Sequence, residues 1–249
     1  MLKLTNLTIQ DNEQILVEHV SLNVFKGAIH AIIGPSGSGK SLTAMALVDR
    51  IPRSLTVSDY EVELDDKKIN NWKDILGKRI GVITQDYSHS FNSHQKIGKQ
   101  LLRIYRYHFK VSKKEARERI IHALNWVKLD STVLRKYRFN LSGGQQQRLQ
   151  IASVLMLDPE IIIADEITSS LDKVTGKKVM ELIQHIAKDH GQTFLLISHD
   201  ISHVESFADY ITVMKDGRIL EQGNIEAVKN SKDKFVKDIL TKLKIKGDF

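Results

Sequence analysis

A glycine-rich run that ends in a lysine and a serine is the feature of this sequence that points most directly to chemistry. The run reads GPSGSGKS and comprises Gly34, Pro35, Ser36, Gly37, Ser38, Gly39, Lys40 and Ser41. Glycines allow backbone N–H groups to crowd around phosphate oxygens, because no Cβ atom stands in the way. Lys40 would place a positive charge on the outer phosphates, and Ser41 can hold Mg²⁺ through its hydroxyl. The pattern predicts a nucleotide-phosphate site that extends to the next residue, Leu42.

Two adjacent carboxylates are a second candidate for the same site. Asp165 and Glu166 end the run EIIIADE (160–166), whose apolar part is typical of a buried strand. Asp165 suits a contact with Mg²⁺, and Glu166 is placed to polarise an attacking water. Adjacent carboxylates after a strand can also be only the start of a capped helix, so this prediction depends on the presence of GPSGSGKS.

A third run, LSGGQ (141–145), leads into a helical stretch. Helix interiors disfavour glycine by about 1 kcal/mol relative to alanine, so two adjacent glycines at a helix start require a reason. A serine hydroxyl and small residues at a helix start suit the binding of an anion. One chain has little use for two phosphate cradles on one nucleotide, unless the second cradle serves a neighbouring chain.

The elements around these motifs alternate between short apolar strands and helices, as in α/β folds. Residues 27–34 predict a buried strand before the glycine-rich run, and residues 39–51 predict the helix after it. Residues 160–165 and 193–198 predict two more buried strands. The first ten residues alternate between apolar and polar, which favours a strand over a signal peptide.

Between residues 90 and 155 the pattern becomes helical. Ser112 and Glu115 predict a capping box at the start of one helix. A single apolar face then follows, formed by Ile120, Ala123, Leu124 and Val127.

The C-terminal stretch predicts an amphipathic helix with lysines on its outer face. Its apolar side chains are Phe235, Val236, Ile239, Leu240 and Leu243. Packing on its own domain is the favoured interpretation, and docking to a membrane surface or a partner is the alternative.

Composition sets limits on the class of protein. The 249 residues are 41% hydrophobic and 27% charged, as in ordinary globular proteins. The absence of cysteine excludes disulfides, thiolate metal sites and iron–sulfur clusters, and it fits a reducing cytoplasm. No apolar run approaches the roughly 18 residues that would span a bilayer. The net charge of +7 permits nucleic-acid binding, but scattered lysines favour a solvated surface.

GPSGSGKS, LSGGQ, EIIIADE and ISHD (197–200) together resemble the ATP-binding cassette (ABC) family over nearly the whole chain. The resemblance implies an α/β fold: a P-loop NTPase core with a mixed sheet and flanking helices, an inserted helical subdomain and an N-terminal antiparallel β region. We expect a single ABC ATPase domain over residues 1–249. Residues 1–89 and 156–249 would form the nucleotide-binding core, and residues 90–155 the helical subdomain that carries the signature LSGGQ.

The resemblance also implies hydrolysis of ATP with Mg²⁺ in a head-to-tail dimer of ATPase subunits. Each ATP would lie between the glycine-rich run of one subunit and the signature of the other, reached by Ser142, Gly143, Gly144 and Gln145. Asp172, in SSLD (169–172), resembles the residue that organises this dimer interface. The implied catalytic residues are Lys40, Gln85, Glu166 and His199. The implied Mg²⁺ ligands are Ser41, Gln85 and Asp165.

Finer cues are similar to one subfamily, the ATPases of oligopeptide, dipeptide and nickel importers. They are SHSFNSHQKIGKQL (88–101) and the run into the signature. The implied system imports oligopeptides, nickel or a metal chelate. It contains a second, paralogous ATPase subunit, two integral membrane permeases and an extracytoplasmic solute-binding protein. The cassette would lie on the cytoplasmic face of the cell membrane. Ser93 and Ile167 stand where this family usually has proline.

The function, the adenine contact and a possible metal site each allow a second interpretation. A soluble ABC ATPase acting on nucleic acid and an ABC exporter are the alternatives, although we expect no nucleic-acid partner. Many cassettes stack an aromatic residue on adenine about 29 positions before the lysine, but this chain has none there, so Ile15 or Val17 would pack on the base. His89 and His94 are too few ligands for a metal site.

Overall fold

The structure is a computed structural model, and it describes residues 1–58, 60–85, 90–168, 171–198 and 204–246. The strands are β1 (Leu2–Asp11), β2 (Gln14–Val24), β3 (Ile29–Ile33), β4 (Thr56–Val57), β5 (Glu61–Leu64), β6 (Lys67–Lys68), β7 (Ile80–Ile83), β8 (Ile161–Asp165), β9 (Thr193–Ser198), β10 (Tyr210–Lys215) and β11 (Arg218–Asn224). The helices are α1 (Lys40–Ala46), α2 (Trp72–Ile75), α3 (Ile97–His108), α4 (Lys113–Trp126), α5 (Gly143–Leu155), α6 (Lys173–His190), α7 (Val204–Phe207), α8 (Ile225–Lys229) and α9 (Lys234–Lys246).

A six-stranded sheet in the order β11-β10-β3-β9-β8-β7 forms the centre of the molecule. Strands β10, β3, β9, β8 and β7 are parallel, and β11 is antiparallel to β10. All five residues of β3 are buried, as expected for a strand covered on both faces. The parallel direction places the carboxyl ends of β3, β7, β8 and β9 at one edge, where the predicted motifs follow them.

A second, antiparallel sheet contains β2, β1, β5 and β6 in that order, with β4 paired to β1. In β1 the side chains that alternate toward the interior are fully buried: Leu2, Leu4, Leu7 and Ile9. Leu2 lies opposite Val24 of β2 and Leu64 of β5. Apolar alternation in the first ten residues is therefore what places this sheet over the core, as predicted.

Two hydrophobic clusters cover the two faces of the central sheet. One cluster joins Ala31, Ala164 and Leu196 of the sheet to helices α3 to α6. The other joins Ile32 and Ile197 to the antiparallel sheet and α1. The central sheet is thus a buried layer between helices on one side and a helix with a second sheet on the other, which is the predicted mixed α/β class.

The helical segment, defined here as residues 90–155, lies in the chain between the neighbouring parallel strands β7 and β8. It contains α3, α4, two 3₁₀ turns (Ser131–Arg135 and Arg138–Asn140) and α5. Ser112 caps α4 by accepting a hydrogen bond from the Glu115 N–H at 3.1 Å. The predicted apolar face of α4 is buried, at residues Ile120, Ala123, Leu124 and Val127.

Helix α9 packs on its own domain, as the favoured interpretation of the C-terminal stretch predicts. Val236 is fully buried, and Phe235, Ile239 and Leu240 pack against the larger hydrophobic cluster. The side chain of Leu243 lies outside the described part of the structure. In the part of the chain that the structure describes, no helix combines the length and the apolar character needed to cross a membrane.

Helix α1 is shorter than predicted, because it ends at Ala46 rather than near residue 51. Asp49 takes a left-handed conformation (φ 53°), and the Arg50 N–H turns back to donate to the Met45 carbonyl at 2.9 Å. Pro52 follows, and a residue before proline is disfavoured in the helical conformation. The apolar pattern in the sequence continues beyond Ala46, although the helix ends there.

Positive charge is concentrated in the helical segment. Residues 90–155 hold fourteen lysines and arginines but three acidic residues, a net charge of +11. Because the whole chain carries +7, the rest of it carries −4. In α3, Lys99, Arg103 and Arg106 line a surface cavity of about 520 Å³ with Leu102 and Tyr107. Lysines are spread along the chain as expected, but the excess of positive over negative charge lies in this segment.

Candidate functional site

The glycine-rich loop between β3 and α1 is built by close backbone contacts that only glycine permits. A Cβ atom at Gly34 would lie 2.1 Å from the Met214 carbonyl oxygen of β10. At Gly39, which has φ 94°, a Cβ atom would lie 3.0 Å from a methyl carbon of Val17. The loop is therefore pressed against β10 and β2, and Pro35, Ser36 and Gly37 are its exposed part.

Lys40 folds back over this loop, and only 4% of its surface is exposed. Its ammonium group donates hydrogen bonds to the carbonyls of Gly34 at 3.0 Å and Pro35 at 2.7 Å. Burial lowers the pKa of Lys40, and the nearby carboxylates of Glu166 and Asp165 oppose that shift. The ammonium is thus held at the loop by carbonyl oxygens, which negatively charged phosphate oxygens can replace.

Ser41 and Asp165 are joined directly, although 124 positions separate them in the chain. The Ser41 hydroxyl donates to a carboxylate oxygen of Asp165 at 3.2 Å. Burial raises the pKa of Asp165; the Ser41 hydrogen bond opposes this effect, and the charge of Glu166 adds to it. A hydroxyl and a carboxylate are the oxygen ligands that Mg²⁺ prefers beside phosphate oxygens. The residues present therefore fit a Mg²⁺ ion bound with a nucleotide.

Glu166 follows the last residue of β8 and has a strained backbone. Its φ is 47°, a conformation that residues other than glycine, asparagine and aspartate rarely adopt. The conformation is held by a hydrogen bond from the Glu166 N–H to the Ile197 carbonyl of β9 at 2.9 Å. Strained residues of this kind cluster at functional sites. The half-buried carboxylate lies near enough to Lys40 and Asp165 to affect the pKa of each.

Gln85 and His199 are the two site residues predicted after parallel strands. Gln85 follows β7 by two residues and is exposed at the edge where Asp165 ends β8. His199 would follow Ser198 of β9, but it lies outside the described residues. The adjacent strands bring Gln85 to the same edge of the sheet as the glycine-rich loop.

The signature residues begin α5, where Ser142 and Gln145 form a reciprocal capping box. The Ser142 hydroxyl accepts from the Gln145 N–H at 3.3 Å, and the Gln145 side chain accepts from the Ser142 N–H at 3.1 Å. Two orphan donors at the helix start are thereby satisfied. The serine and the glutamine therefore have a structural role in this chain, whatever a neighbouring chain adds.

Gly144 of the signature lies next to the residue that Asp172 holds. A Cβ atom at Gly144 would lie 3.5 Å from the Thr175 methyl carbon. Asp172 caps α6 by accepting hydrogen bonds from Thr175, from the N–H at 3.0 Å and from the hydroxyl at 2.7 Å. These hydrogen bonds lower the pKa of Asp172. The structure thus brings the predicted signature and the predicted interface residue together through Thr175.

The predicted residues form two groups in the structure. The first contains the glycine-rich loop, Asp165 and Glu166. The second contains the signature and Asp172. The hydrogen bonds between Ser142 and Gln145 join these two residues to each other at the start of α5.

Two features of the site differ from what the sequence predicted. Met214 supports the loop from below, since its carbonyl faces Gly34 and its sulfur lies 3.8 Å from the Thr43 hydroxyl, which donates to the Gly39 carbonyl at 3.0 Å. Only the pairing of β10 with β3 brings it there, and no motif marks it. Val17 is wrong as an adenine contact because it is fully buried against Gly39. Ile15 remains available, with 45% of its surface exposed.

Of the two histidines predicted to be too few for a metal site, the structure describes His94. His89 lies outside the described residues. The His94 N–H donates to the Asn92 side chain at 2.7 Å in a tight turn. Over the described ranges, no group of three or more histidine and acidic side chains is placed to hold a metal ion.

Comparison with known proteins decides the family. A family model described as "ABC transporter" matches residues 17–169, which include the glycine-rich loop, the signature and both carboxylates. The chain belongs to the ABC transporter family. The cassette is also 48% identical to "Nickel import system ATP-binding protein NikD" of Staphylococcus aureus strain bovine RF122 / ET3-1, over 92% of this chain and 90% of that protein. The same protein of strain N315 is 47% identical over the same shares.

Solved structures confirm the fold of the cassette. The dimeric bacterial ABC transporter cassette MJ0796 is 29% identical with a TM-score of 0.79, over 90% of this chain and 99% of that one. CbiO1 from Clostridium perfringens, part of the ABC transporter complex cbiONQ, is 26% identical with a TM-score of 0.80, over 98% and 94%. A further structure of MJ0796 is a post-hydrolysis state bound to ADP and Pi. The predicted family, fold class and ATPase activity are confirmed.

Proposed function

We propose that the cassette hydrolyses ATP with Mg²⁺ at the composite of the glycine-rich loop and the β8 carboxylates. The contact between Ser41 and Asp165 at 3.2 Å is the observation that carries this proposal, because it brings together the hydroxyl and the carboxylate that would hold Mg²⁺. Phosphoryl transfer depends mainly on positioning and on stabilisation of charge, and the described residues supply both.

Each residue of the chain has a separable part in this proposal. Lys40 exchanges its two loop carbonyls for phosphate oxygens and keeps its charge at the outer phosphates. Bound Mg²⁺ neutralises phosphate charge, and Ser41, Asp165 and Gln85 are the residues that would hold it. Glu166 accepts a hydrogen bond from the attacking water and orients it. His199 would steady the γ-phosphate.

The second half of each site comes from a neighbouring subunit in this proposal. Ser142, Gly143 and Gly144 begin α5 with small residues and would face the γ-phosphate of the partner's ATP. Asp172 and Thr175 lie beside them and would form part of the same interface. The dimeric MJ0796 cassette supports a paired arrangement. Residues 1–89 and 156–249 would act as the nucleotide-binding core, with residues 90–155 as the helical subdomain.

We infer that the transport system is an importer at the cytoplasmic face of the cell membrane, with a second ATPase subunit, membrane permeases and a solute-binding protein. The 48% identity to a nickel import ATP-binding protein supports nickel or a nickel chelate as the cargo, ahead of peptides. Nickel is cargo of the permeases here and is not held by the cassette. Uptake of radioactive nickel by cells that express the full system, with and without this chain, tests the cargo; uptake that is independent of the chain would contradict it.

The hydrolysis proposal is tested by Glu166→Gln in the full chain together with its partner subunit. The variant should bind ATP as the wild type does and lose turnover by about 10²- to 10⁴-fold, because only the water-orienting carboxylate is removed. Glu160→Gln is the matched control, since Glu160 precedes β8 and pairs with Arg79 on the surface. Normal turnover by Glu166→Gln would contradict the assignment.

A further inference from the structure

Gln150 of α5 is a buried glutamine whose side chain reaches out of its own helix to the chain around Gln85. It lies in the helix that begins with the signature, and 4% of its surface is exposed. Its amide nitrogen donates to the Thr84 carbonyl at 3.1 Å, to the Thr84 hydroxyl at 3.2 Å and to the Ser90 hydroxyl at 2.9 Å. Thr84 directly precedes Gln85, and Ser90 lies five residues after Gln85. One side chain therefore joins Thr84 to Ser90.

Two further side chains hold the residues that follow Ser90. Gln100 of α3 accepts from the Asn92 N–H at 2.8 Å and donates to the Asn92 and Gln95 carbonyls at 3.0 and 2.8 Å. The Arg138 guanidinium, just before the signature, donates to the Ser93 hydroxyl at 3.2 and 3.0 Å. Gln100 and Arg138 thus hold residues 92–95, whereas Gln150 holds Thr84 and Ser90.

The amide of Gln150 is suited to linking two movable parts because it is a directional donor. The Ser142 end of α5 would respond to the partner's nucleotide, and Gln85 would respond to Mg²⁺ in its own site. A displacement of α5 carries Gln150 with it and pulls on Thr84, the residue next to Gln85. Apolar packing between α5 and Thr84 would also resist their separation, but it would not fix their relative orientation as a hydrogen bond does.

We propose that Gln150 is a positioning residue that couples the signature helix α5 to Gln85, so that the two respond together to nucleotide. The inference rests on the proposed function, in which Gln85 is one of the residues that would hold Mg²⁺. Gln150 acts through Thr84 and Ser90 and touches neither the nucleotide nor the reacting atoms.

The test compares Gln150→Met with the control Gln192→Met in the assembled transporter. Methionine keeps the volume of glutamine and removes the donor. Gln192 is equally buried (4% exposed) and its amide donates to the Pro159 carbonyl at 3.3 Å, at the opposite edge of the sheet. Both variants should lose thermal stability, because each removes the donor of a hydrogen bond to a backbone carbonyl.

The distinguishing readout is the ratio of substrate-stimulated to basal ATPase rate in proteoliposomes. We expect Gln150→Met to lower this ratio at least about fivefold and to raise the Mg²⁺ concentration needed for half-maximal rate. Gln192→Met should leave both quantities at their wild-type values. Equal effects of the two variants on the stimulation ratio, or an unchanged ratio in Gln150→Met, would overturn the proposal.

A double-mutant cycle keeps the proposal testable if Gln150→Met assembles poorly. Ser90→Ala removes the shortest of the three acceptors while Gln150 remains. Ser90→Ala should lower the stimulation ratio in the same direction, and its effect should largely disappear in the Gln150→Met background. Fully additive effects would contradict the linkage. A wild-type transporter with no ATPase activity would instead contradict the proposed function, so the two failures are distinguishable.

Discussion

Gly34 is the residue of the site with the least room for change. Gly34→Ala would place a carbon 2.1 Å from the Met214 carbonyl oxygen, so either the loop or β10 must move. We expect loss of measurable ATP binding by isothermal titration calorimetry, together with a lower melting temperature. The loop that presents the phosphate-binding N–H groups cannot keep its position against β10.

Gly27→Ala is the matched control for that prediction. Gly27 also has a positive φ, of 72°, but a Cβ atom there would meet nothing within 4 Å. Its cost should be about 1 kcal/mol of backbone strain, with ATP binding unchanged. Wild-type ATP affinity in Gly34→Ala would show that the contact with Met214 is not what shapes the loop.

Asp165 illustrates a conflict between stability and function in one side chain. Burial raises its pKa, so the ionised form at neutral pH destabilises the nucleotide-free fold. A raised carboxyl pKa contributes stability below the ordinary value near 3.9 and loses it as the pH rises through the folded-state value. Asp165→Asn should therefore raise the melting temperature without nucleotide at pH 7, and this gain should shrink as the pH falls toward about 4.

The same substitution should lower Mg²⁺-dependent turnover by at least about 100-fold, since it removes a charged metal ligand. Differential scanning fluorimetry across pH measures the change in melting temperature, and an assay of phosphate release with Mg-ATP measures the loss of turnover. A lower melting temperature at pH 7 would mean that the Ser41 hydrogen bond outweighs the burial of the charge.

At the scale of the element, β3 contains a histidine whose neutrality stabilises the strand. His30 is buried, stacks on Tyr210 at 4.8 Å and accepts a hydrogen bond from the Phe25 N–H at 2.9 Å. Burial lowers the pKa of His30 to about 4, although Asp209 opposes the shift. Protonation would convert the accepting nitrogen to a donor and break the contact with Phe25.

The sign of the resulting pH dependence follows from the lowered pKa. The stabilising contribution of neutral His30 is fully present above pH 6.5. It is lost as the pH falls through about 4, and the total loss is about 3 kcal/mol. His30→Gln, which keeps an acceptor but cannot ionise, should flatten this dependence in urea unfolding between pH 7 and pH 4.5. His185→Gln, at an exposed helix position, should not. An unchanged slope in His30→Gln would assign the acid sensitivity to other groups.

The elements that carry motifs were predictable from sequence, because apolar runs identify the strands and parallel strands share an edge. GPSGSGKS after β3 and EIIIADE through β8 were sufficient to place Lys40, Ser41 and Asp165 together. Met214 and Gln150 were not predictable, since their contacts depend on which strand or helix lies beside them. Val17 was misassigned for the same reason, as its burial comes from the packing of β2 on Gly39.

At the scale of the whole molecule, like charges are crowded in the helical segment. Lys99 and Arg103 lie one turn apart on α3, a helix without acidic residues. Arg103→Glu should create an attractive pair with Lys99 and reduce the repulsion around the α3 cavity. We expect a gain of roughly 0.5 kcal/mol in unfolding free energy at 20 mM salt that fades by about 0.5 M. A gain that is independent of salt would point to packing instead.

The separation of +11 in the helical segment from −4 in the rest of the chain gives the cassette an electric dipole. In the field outside an acidic bilayer, such a molecule experiences a torque before it touches anything, and the helical segment would lead its approach. Under the proposed function, this bias would reduce the range of orientations that the cassette samples before it docks on the permeases.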